Sequence, residues 1–276
     1  MKKRANAKVN LALDVVGQYD NGYHELDMIM APISVEDVIE VDLAEKDCVS
    51  CLGMILPEPN TITKMIRLLK DTFQLDHCYE VKVQKHIPMQ AGLAGGSADA
   101  AAVMNAILEI ENIGLTMEEK YALGKQIGAD VPFCLCNQWA RVKGIGEIIE
   151  PIHSDWKIQA LLVKPAQGVS TPEAFQLWSQ QKEYHPDVDL VQIAVEKKSI
   201  ELLVQTMGNA LQTSAFTLVE ELKEIKKEML KLGMVHVLMS GSGSSLLGFS
   251  VETDVLLHAK EELEKVYPFV RIITIG

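Results

Sequence analysis

Residues 88–103 read Pro-Met-Gln-Ala-Gly-Leu-Ala-Gly-Gly-Ser-Ala-Asp-Ala-Ala-Ala-Val, a glycine-rich turn that passes straight into a helix start. Gly92, Gly95 and Gly96 permit backbone angles and close approaches that a side chain would block. The helix opening near Ser97 leaves unpaired N–H groups and the positive end of its dipole at the turn, which are the ingredients of a phosphate seat. No Gly-Lys-Ser/Thr closes the segment, so it is not a Walker A loop, and its glycines lack the Gly-x-Gly-x-x-Gly spacing of dinucleotide folds. On its residues alone it is either a seat for the phosphates of a nucleotide or a tight strand-to-helix turn, since glycine punctuates turns in every fold.

The surrounding pattern is mixed α/β. Over 5–15 the apolar residues fall on odd positions, the period of a half-buried strand, and this puts Lys8 and Asn10 together on the other face. Extended runs are predicted over 26–33 and 38–43, a helix over 60–69, a strand over 80–87 into the glycine turn, and helices over 97–110 and 116–127. Thr116-x-x-Glu119 has the form of a capping box. Residues 128–133, Gly-Ala-Asp-Val-Pro-Phe, interrupt the last helix, and 139–142 reads as a strand. The segment 151–156 is the boundary candidate, dividing the chain into domains 1–152 and 153–276. Beyond it the pattern predicts strands over 158–163, 235–239, 246–249 and 270–275, with helices over 172–179, 190–195, 200–205, 216–232 and 255–266. A second glycine-rich turn, Ser240-Gly-Ser-Gly-Ser-Ser245, lies in this half.

Composition narrows the partners. With 48% hydrophobic and 23% charged residues the chain reads as soluble and globular, and its formal charge of −12 opposes binding to nucleic acid or to an anionic membrane surface. No apolar run approaches a membrane span, and Met-Lys-Lys-Arg leads into an alternating segment rather than a signal-peptide core, so a cytoplasmic location is expected. The five cysteines are odd in number and form no disulfide framework. Cys48-x-x-Cys51 and Cys134-x-Cys136 lack the histidines and spacing of a zinc site, and no metal ligand is assigned.

Three ionisable residues stand in unusual company. Asp130, between a helix end and Val-Pro-Phe, either caps a turn or pairs with an arginine, or else serves as a general base toward a substrate hydroxyl beside a lysine that keeps it ionised. Lys8 is either a solvated strand residue or that lysine. Tyr23 and His24, after an Asn-Gly turn, either cover a hairpin end or form a stacking platform for a planar base.

Five motifs occur in order: Ala7-Lys8-Val9-Asn10-Leu11, Asp20-Asn-Gly-Tyr-His24, Ile87-Pro-Met-Gln-Ala-Gly-Leu-Ala-Gly-Gly-Ser97, Gly128-Ala-Asp130-Val-Pro-Phe133 and Met239-Ser-Gly-Ser-Gly243. Together they resemble the GHMP kinase superfamily over nearly the whole chain, in its branch whose acceptor is the 2-hydroxyl of a cytidine-diphosphate-linked methylerythritol in non-mevalonate isoprenoid synthesis. The resemblance implies an α+β GHMP kinase fold, with an N-terminal domain like ribosomal protein S5 domain 2, a C-terminal ferredoxin-like domain, the site between them, and the strand at 270–275 returning to the first domain. It implies ATP and Mg²⁺ as cofactors, a small-molecule substrate, no nucleic acid or membrane partner, and a monomer or weak homodimer. Asp130 is then the base and Lys8 its charged neighbour. Pro88, Gly92, Leu93, Ala94, Gly95, Gly96, Ser97 and Ala98 hold the nucleotide, with Asn60 at the adenine pocket. Asn10, Tyr23, His24, Phe175, Thr171 and Gly241 bind the substrate, Tyr23 and His24 holding the base and Phe175 its other face.

Two positions depart from the family pattern. Ala98 stands where a second serine is usual, removing a hydroxyl from the expected phosphate site. Trp139 stands where a threonine is usual, and it either reshapes the pocket wall beyond Asp130 or only packs its strand. A GHMP-type kinase for another small alcohol, or a binding protein on the same fold without catalysis, are the competing readings.

Overall fold

The computed structural model describes residues 1–181 and 184–276. In chain order β1 (Lys2–Gln18), β2 (His24–Ala44) and β3 (Cys48–Cys51) precede α1 (Thr61–Phe73), β4 (Cys78–Gln84), α2 (Gly95–Ile110), α3 (Met117–Gly124), α4 (Val131–Cys136), β5 (Ala140–Gly144) and β6 (Ile148–Pro151). Then follow β7 (Ile158–Lys164), α5 (Thr171–Gln181), α6 (Val188–Lys197), α7 (Ile200–Thr206), β8 (Gly208–Asn209), α8 (Gln212–Leu218), α9 (Glu221–Lys231), β9 (His236–Met239), β10 (Leu246–Phe249), α10 (Thr253–Leu263) and β11 (Phe269–Ile275). The result is an α+β architecture whose strands run β3-β4-β2-β11-β7-β10-β9, with β1 and β5 also paired to β2.

β1 and β2 form a long antiparallel pair whose register shifts between Asn10 and Ala12. A bulge of this kind reverses the side-chain parity of a strand. Ala5, Ala7, Val9 and Leu11 therefore enter one apolar core with Ala12, whereas Leu13 and Val15 enter a second. On the other face before the bulge stand Lys8 and Asn10, and Leu13 joins them in lining a cleft. β7 divides in the same way: Ile158, Ala160 and Leu162 face the first core, Leu161 and Val163 the second. β11 pairs with β7 along its length and reaches β2 through Ile275 opposite Ile33.

β2, the stretch 216–232 and the segment after Asp130 differ from the sequence pattern, and the short strands β3, β6 and β8 lie outside the predicted elements. β2 runs unbroken through 34–37, joining the two extended runs predicted over 26–33 and 38–43. Ser34 Oγ accepts the N–H of Thr274 at 3.0 Å, and the buried Asp37 carboxylate accepts from Lys85 and from the N–H groups of His86 and Ile87. The stretch predicted as one helix over 216–232 is two, broken at Val219, which is extended at φ −135°. Its apolar spacing carries across the break because Phe216, Leu222 and Ile225 all face the second core. Residues Val131–Cys136 form a short helix rather than a mere interruption, with Pro132 in the first turn, where its missing N–H costs nothing. The capping box is formed as its sequence indicates: Thr116 Oγ1 accepts the Glu119 N–H at 3.2 Å, and Glu119 accepts the Thr116 N–H at 2.7 Å.

Candidate active site

The two glycine-rich turns meet face to face. Gly92 has φ +71°, and a Cβ there would lie 2.1 Å from the Ser240 carbonyl oxygen; Gly241 has φ +57° and would bring a Cβ to 3.0 Å from the Gly92 oxygen. Only glycine allows this approach at these angles. Ser240 Oγ donates to the Gly92 oxygen at 3.1 Å and accepts the Asn10 N–H at 3.3 Å, while the Ser245 N–H donates to Ala91 at 3.2 Å. Asn209 braces the second turn through its amide, donating to the carbonyls of Met239 at 2.8 Å and Gly241 at 2.7 Å. The Lys8 N–H donates to the Leu93 oxygen at 3.1 Å, which seats the first turn on β1.

Ala94 precedes α2 with φ +56° and supplies no side-chain cap. Its carbonyl takes the first helical bonds, from Ser97 at 3.0 Å and Ala98 at 2.9 Å. The Gly95 and Gly96 N–H groups thus stand ahead of the helical ladder at the positive end of the dipole, open to an anion. Both residues line a cleft of about 730 Å³ together with Lys8, Asn10, Ser97 and Asp130.

Asp130 sits at the start of α4, where its side chain makes no capping hydrogen bond, and the cation beside it is Lys8, with Nζ 3.9 Å from Oδ2. Lys8 is buried, and its ammonium donates to Asn10 Oδ1 at 2.7 Å. Asn10 in turn donates to Met28 Sδ at 3.2 Å. Cys134 lies in the same field, and burial pushes its thiol up, so it stays neutral at ordinary pH. The Ser97 hydroxyl faces Gly128, 3.8 Å from the position of a Cβ there.

A second chamber of about 800 Å³ contains Tyr23 and His24 and shares Leu26, Ile145, Thr171, Pro172 and Phe175 with the cleft, so the two are continuous. His24 stacks directly on Phe175 with ring centroids 4.8 Å apart, meets Trp178 edge-on at 5.8 Å, and has Nε2 2.8 Å from Ser179 Oγ. At 4.8 Å two rings are in contact, so no base fits between His24 and Phe175. Tyr23, which lines the same chamber, is 60% exposed. Thr171 joins the start of α5 to the second glycine turn through Ser242 Oγ at 2.7 Å.

The structure therefore gathers Lys8, Asn10, Pro88, Gly92, Leu93, Ala94, Gly95, Gly96, Ser97, Asp130, Thr171, Phe175 and Gly241 around one cleft, with Tyr23 and His24 in the adjoining chamber. Two expected residues lie off it. Ala98 is buried in the first core, so the hydroxyl it lacks would have pointed away from the cleft. Asn60 spends its side-chain oxygen capping α1, accepting from Ile62 at 3.0 Å and Thr63 at 2.9 Å; its neighbour Thr61 lines the cleft and donates to the Gly96 oxygen at 2.6 Å. Trp139 packs its strand: it is buried, its Nε1 donates to the Trp156 oxygen, and it does not line the cleft. Lys85, Ser240 and Ser242 were not expected. The alternating Ser-Gly of 240–243 was a usable signal for the two hydroxyls, whereas Lys85 looks in sequence like any solvated strand lysine.

Fold and cleft together define the class, the GHMP kinases: the family model "GHMP kinases N terminal domain" matches residues 60–138, and "GHMP kinases C terminal" matches 191–268. The chain is 39% identical over 98% of its length, and 94% of the relative's, to 4-diphosphocytidyl-2-C-methyl-D-erythritol kinase of Thermoanaerobacter pseudethanolicus. Against the enzyme of that name from Geobacillus kaustophilus it is 36% identical over 96% of its length and 90% of the relative's. A crystal structure of 4-(cytidine 5'-diphospho)-2C-methyl-D-erythritol kinase superposes with TM-score 0.85 at 30% identity, covering 100% of this chain and 99% of the other. L. major mevalonate kinase, solved in complex with R-mevalonate, shares the fold at TM-score 0.74 and 17% identity, covering 100% of this chain and 96% of that one. The chain belongs to the 4-diphosphocytidyl-2-C-methyl-D-erythritol kinase family of the GHMP kinases.

Proposed function

We propose that this protein transfers the γ-phosphoryl group of ATP to the 2-hydroxyl of 4-diphosphocytidyl-2-C-methyl-D-erythritol, the kinase step of non-mevalonate isoprenoid precursor synthesis. The observation that carries the reading is the contact of Lys8 with Asp130 at the mouth of the Gly95–Gly96 anion seat, in a cleft continuous with an aromatic chamber. The phosphates of ATP rest on the glycine turn and the start of α2. The acceptor lies across the cleft with its base against Tyr23 and the Phe175 side of the chamber, and Asn10, Thr171 and Gly241 along its length.

As the acceptor oxygen bonds to the γ-phosphorus, its proton passes to the Asp130 carboxylate and the bond to the ADP oxygen breaks. Lys8, whose ammonium stands beside Asp130, offsets negative charge on the attacking oxygen during the step. The amides at the helix start meet the charge that develops on the transferring group, and such fixed dipoles need no reorganisation. Mg²⁺ supplies neutralisation of phosphate charge when it is bound with ATP. The Ser97 hydroxyl, beside the glycine turn in the cleft, would be its protein ligand, which suits an ion that keeps its water and phosphate ligands. Among the described residues no group of three or more His, Cys, Asp or Glu could hold a metal.

We place the two halves, 1–152 and 153–276, on either side of the cleft, in a cytoplasmic protein that is a monomer or weak homodimer without nucleic-acid or membrane partners. Among the described residues no helix is long and apolar enough to cross a membrane. Phosphorus NMR of the product tests the reading: a new phosphomonoester resonance on the diphosphocytidyl compound, formed as ATP becomes ADP, is expected, and hydrolysis of ATP to free phosphate alone would refute it.

A further inference from the structure

Leu13, Leu26, Met28 and Leu211 line the cleft beside its polar centre. The bulge after Asn10 puts this apolar wall there. With the parity of β1 reversed, Leu13 follows Lys8 and Asn10 onto the cleft face, where it stands opposite Met28 on β2, two residues from Leu26 on the same side of that strand. The Ala210 N–H donates to the Leu13 oxygen at 2.8 Å and the Leu211 N–H to Asn209 Oδ1 at 2.9 Å, which holds Leu211 next to the pair. All four side chains are rooted in the second core and are at most 8% exposed, so close packing fixes the shape of the wall.

Met28 marks where this wall meets the chemistry. Asn10 uses its side-chain amide on both: Oδ1 accepts the Lys8 ammonium at 2.7 Å, Nδ2 donates to Met28 Sδ at 3.2 Å, and Lys8 stands 3.9 Å from Asp130. A thioether is a weak acceptor, so the wall offers a hydroxyl no strong partner. A hydroxyl pressed against it would lose its water without replacement, whereas an alkyl group would gain by leaving water.

The acceptor proposed for this cleft carries such a group in one place. Carbon 2 bears both the reacting hydroxyl and a methyl group, whereas the free hydroxyls on carbons 1 and 3 have no methyl on their own carbon. We propose that Met28, with Leu13 and Leu211, seats that methyl group, and that the seat selects both the branched acceptor and which of its hydroxyls reaches Asp130. The inference rests on the reading that the cleft transfers phosphate to the diphosphocytidyl acceptor. With the methyl group on Met28 and the base in the aromatic chamber, the carbon chain is held at two points, and the 2-hydroxyl is the one directed at Lys8 and Asp130. A tertiary oxygen is the more crowded nucleophile, so a preference for it comes from the protein.

Paired kinetics with 4-diphosphocytidyl-2-C-methyl-D-erythritol and its analogue without the methyl group read the seat, because the ratio of the two kcat/KM values does not depend on how much of a preparation is folded. The wild type is expected to favour the methyl compound by about 10-fold or more, the discrimination that a pocket gives one carbon. Met28→Ala should cut that preference by at least about 3-fold and should turn over the 2-C-ethyl analogue better than the wild type does. Leu13→Val, which removes one carbon and disturbs the core less, should move both readouts in the same direction. Proton-coupled phosphorus NMR locates the new phosphate: carbon 2 bears no hydrogen, so its ester gives an unsplit line, while esters on carbons 1 and 3 are split. The wild type should give the unsplit line alone, and Met28→Ala should add split lines to it. Equal kcat/KM for the two compounds in the wild type, or folded variants that keep the wild-type ratio and the single unsplit line, would overturn the inference, while turnover of the methyl compound would leave the kinase reading standing. Turnover of neither compound by the wild type would overturn that reading, and the inference with it.

Discussion

Lys8 Nζ stands 3.9 Å from Asp130 Oδ2, beyond a hydrogen bond but within an ion pair, because Asn10 Oδ1 holds the ammonium at 2.7 Å. The carboxylate therefore feels the positive charge without giving up its lone pairs to it. Asp130 is partly exposed to the cleft, so a substrate hydroxyl can reach it. Asp130→Asn keeps the shape of the site and removes the proton acceptor. Turnover should fall by at least about 100-fold with the affinity for nucleotide nearly unaltered, as steady-state kinetics and a nucleotide titration would show.

The contact of Gly92 with the Ser240 carbonyl makes a second, independent prediction. In Gly92→Ala the new methyl group would fall 2.1 Å from a backbone oxygen, at a φ of +71° that alanine avoids. A left-handed alanine alone costs about 1–2 kcal/mol, and the clash forces the two glycine turns apart. Denaturant unfolding should show a loss of at least that size, with a raised KM for ATP; an unaltered midpoint would mean that the turns do not meet as described.

Much of the site was legible because its signals are local. The glycine run, Lys8 and Asn10 on one strand face, and Asp130 before Val-Pro each announce themselves within a few residues. What escaped depends on chain brought from elsewhere. The bulge beyond Asn10, which turns Leu13 to the cleft, leaves no mark on the alternation of 5–15. Lys85 alternates like a solvent-facing strand residue and is in fact clamped by Asp37 and Asp99. Ala98, one residue from Ser97 in sequence, turns into the core because α2 buries that side. Asn60 is drawn away from the cleft by the unsatisfied N–H groups of its own helix.

Phe175 is shared by the cleft and the chamber. Phe175→Ala removes a stacking face and the partner of the His24 ring, while the glycine turn is untouched. A stacked base is worth about 1–3 kcal/mol, so the KM for the diphosphocytidyl acceptor should rise about 10-fold or more with the KM for ATP little altered. Equal effects on both substrates would place the base elsewhere.

His236 offers a test of the C-terminal half. Burial, aided by the Lys226 charge, lowers its imidazole to about 4 from the ordinary 6.5. Between these values the unfolded chain binds the proton and the folded one does not, so stability falls as pH drops from about 6.5 toward 4. At about pH 5.5 the loss from this group, part-exposed as it is, should be about 1 kcal/mol, and His236→Gln should lack it in denaturant unfolding at the two pH values.

The central claim is that one cleft joins a phosphoryl-transfer centre to a chamber built for a base. The ratio of kcat/KM for 4-diphosphocytidyl-2-C-methyl-D-erythritol to that for mevalonate, measured with ATP in a coupled ADP-release assay and with galactose as a further control, tests it most directly. The account predicts turnover with the diphosphocytidyl acceptor and a ratio of at least about 1,000, because two or three lost base contacts cost several kcal/mol in transition-state binding. Comparable turnover of mevalonate, or none of the diphosphocytidyl compound, would contradict it.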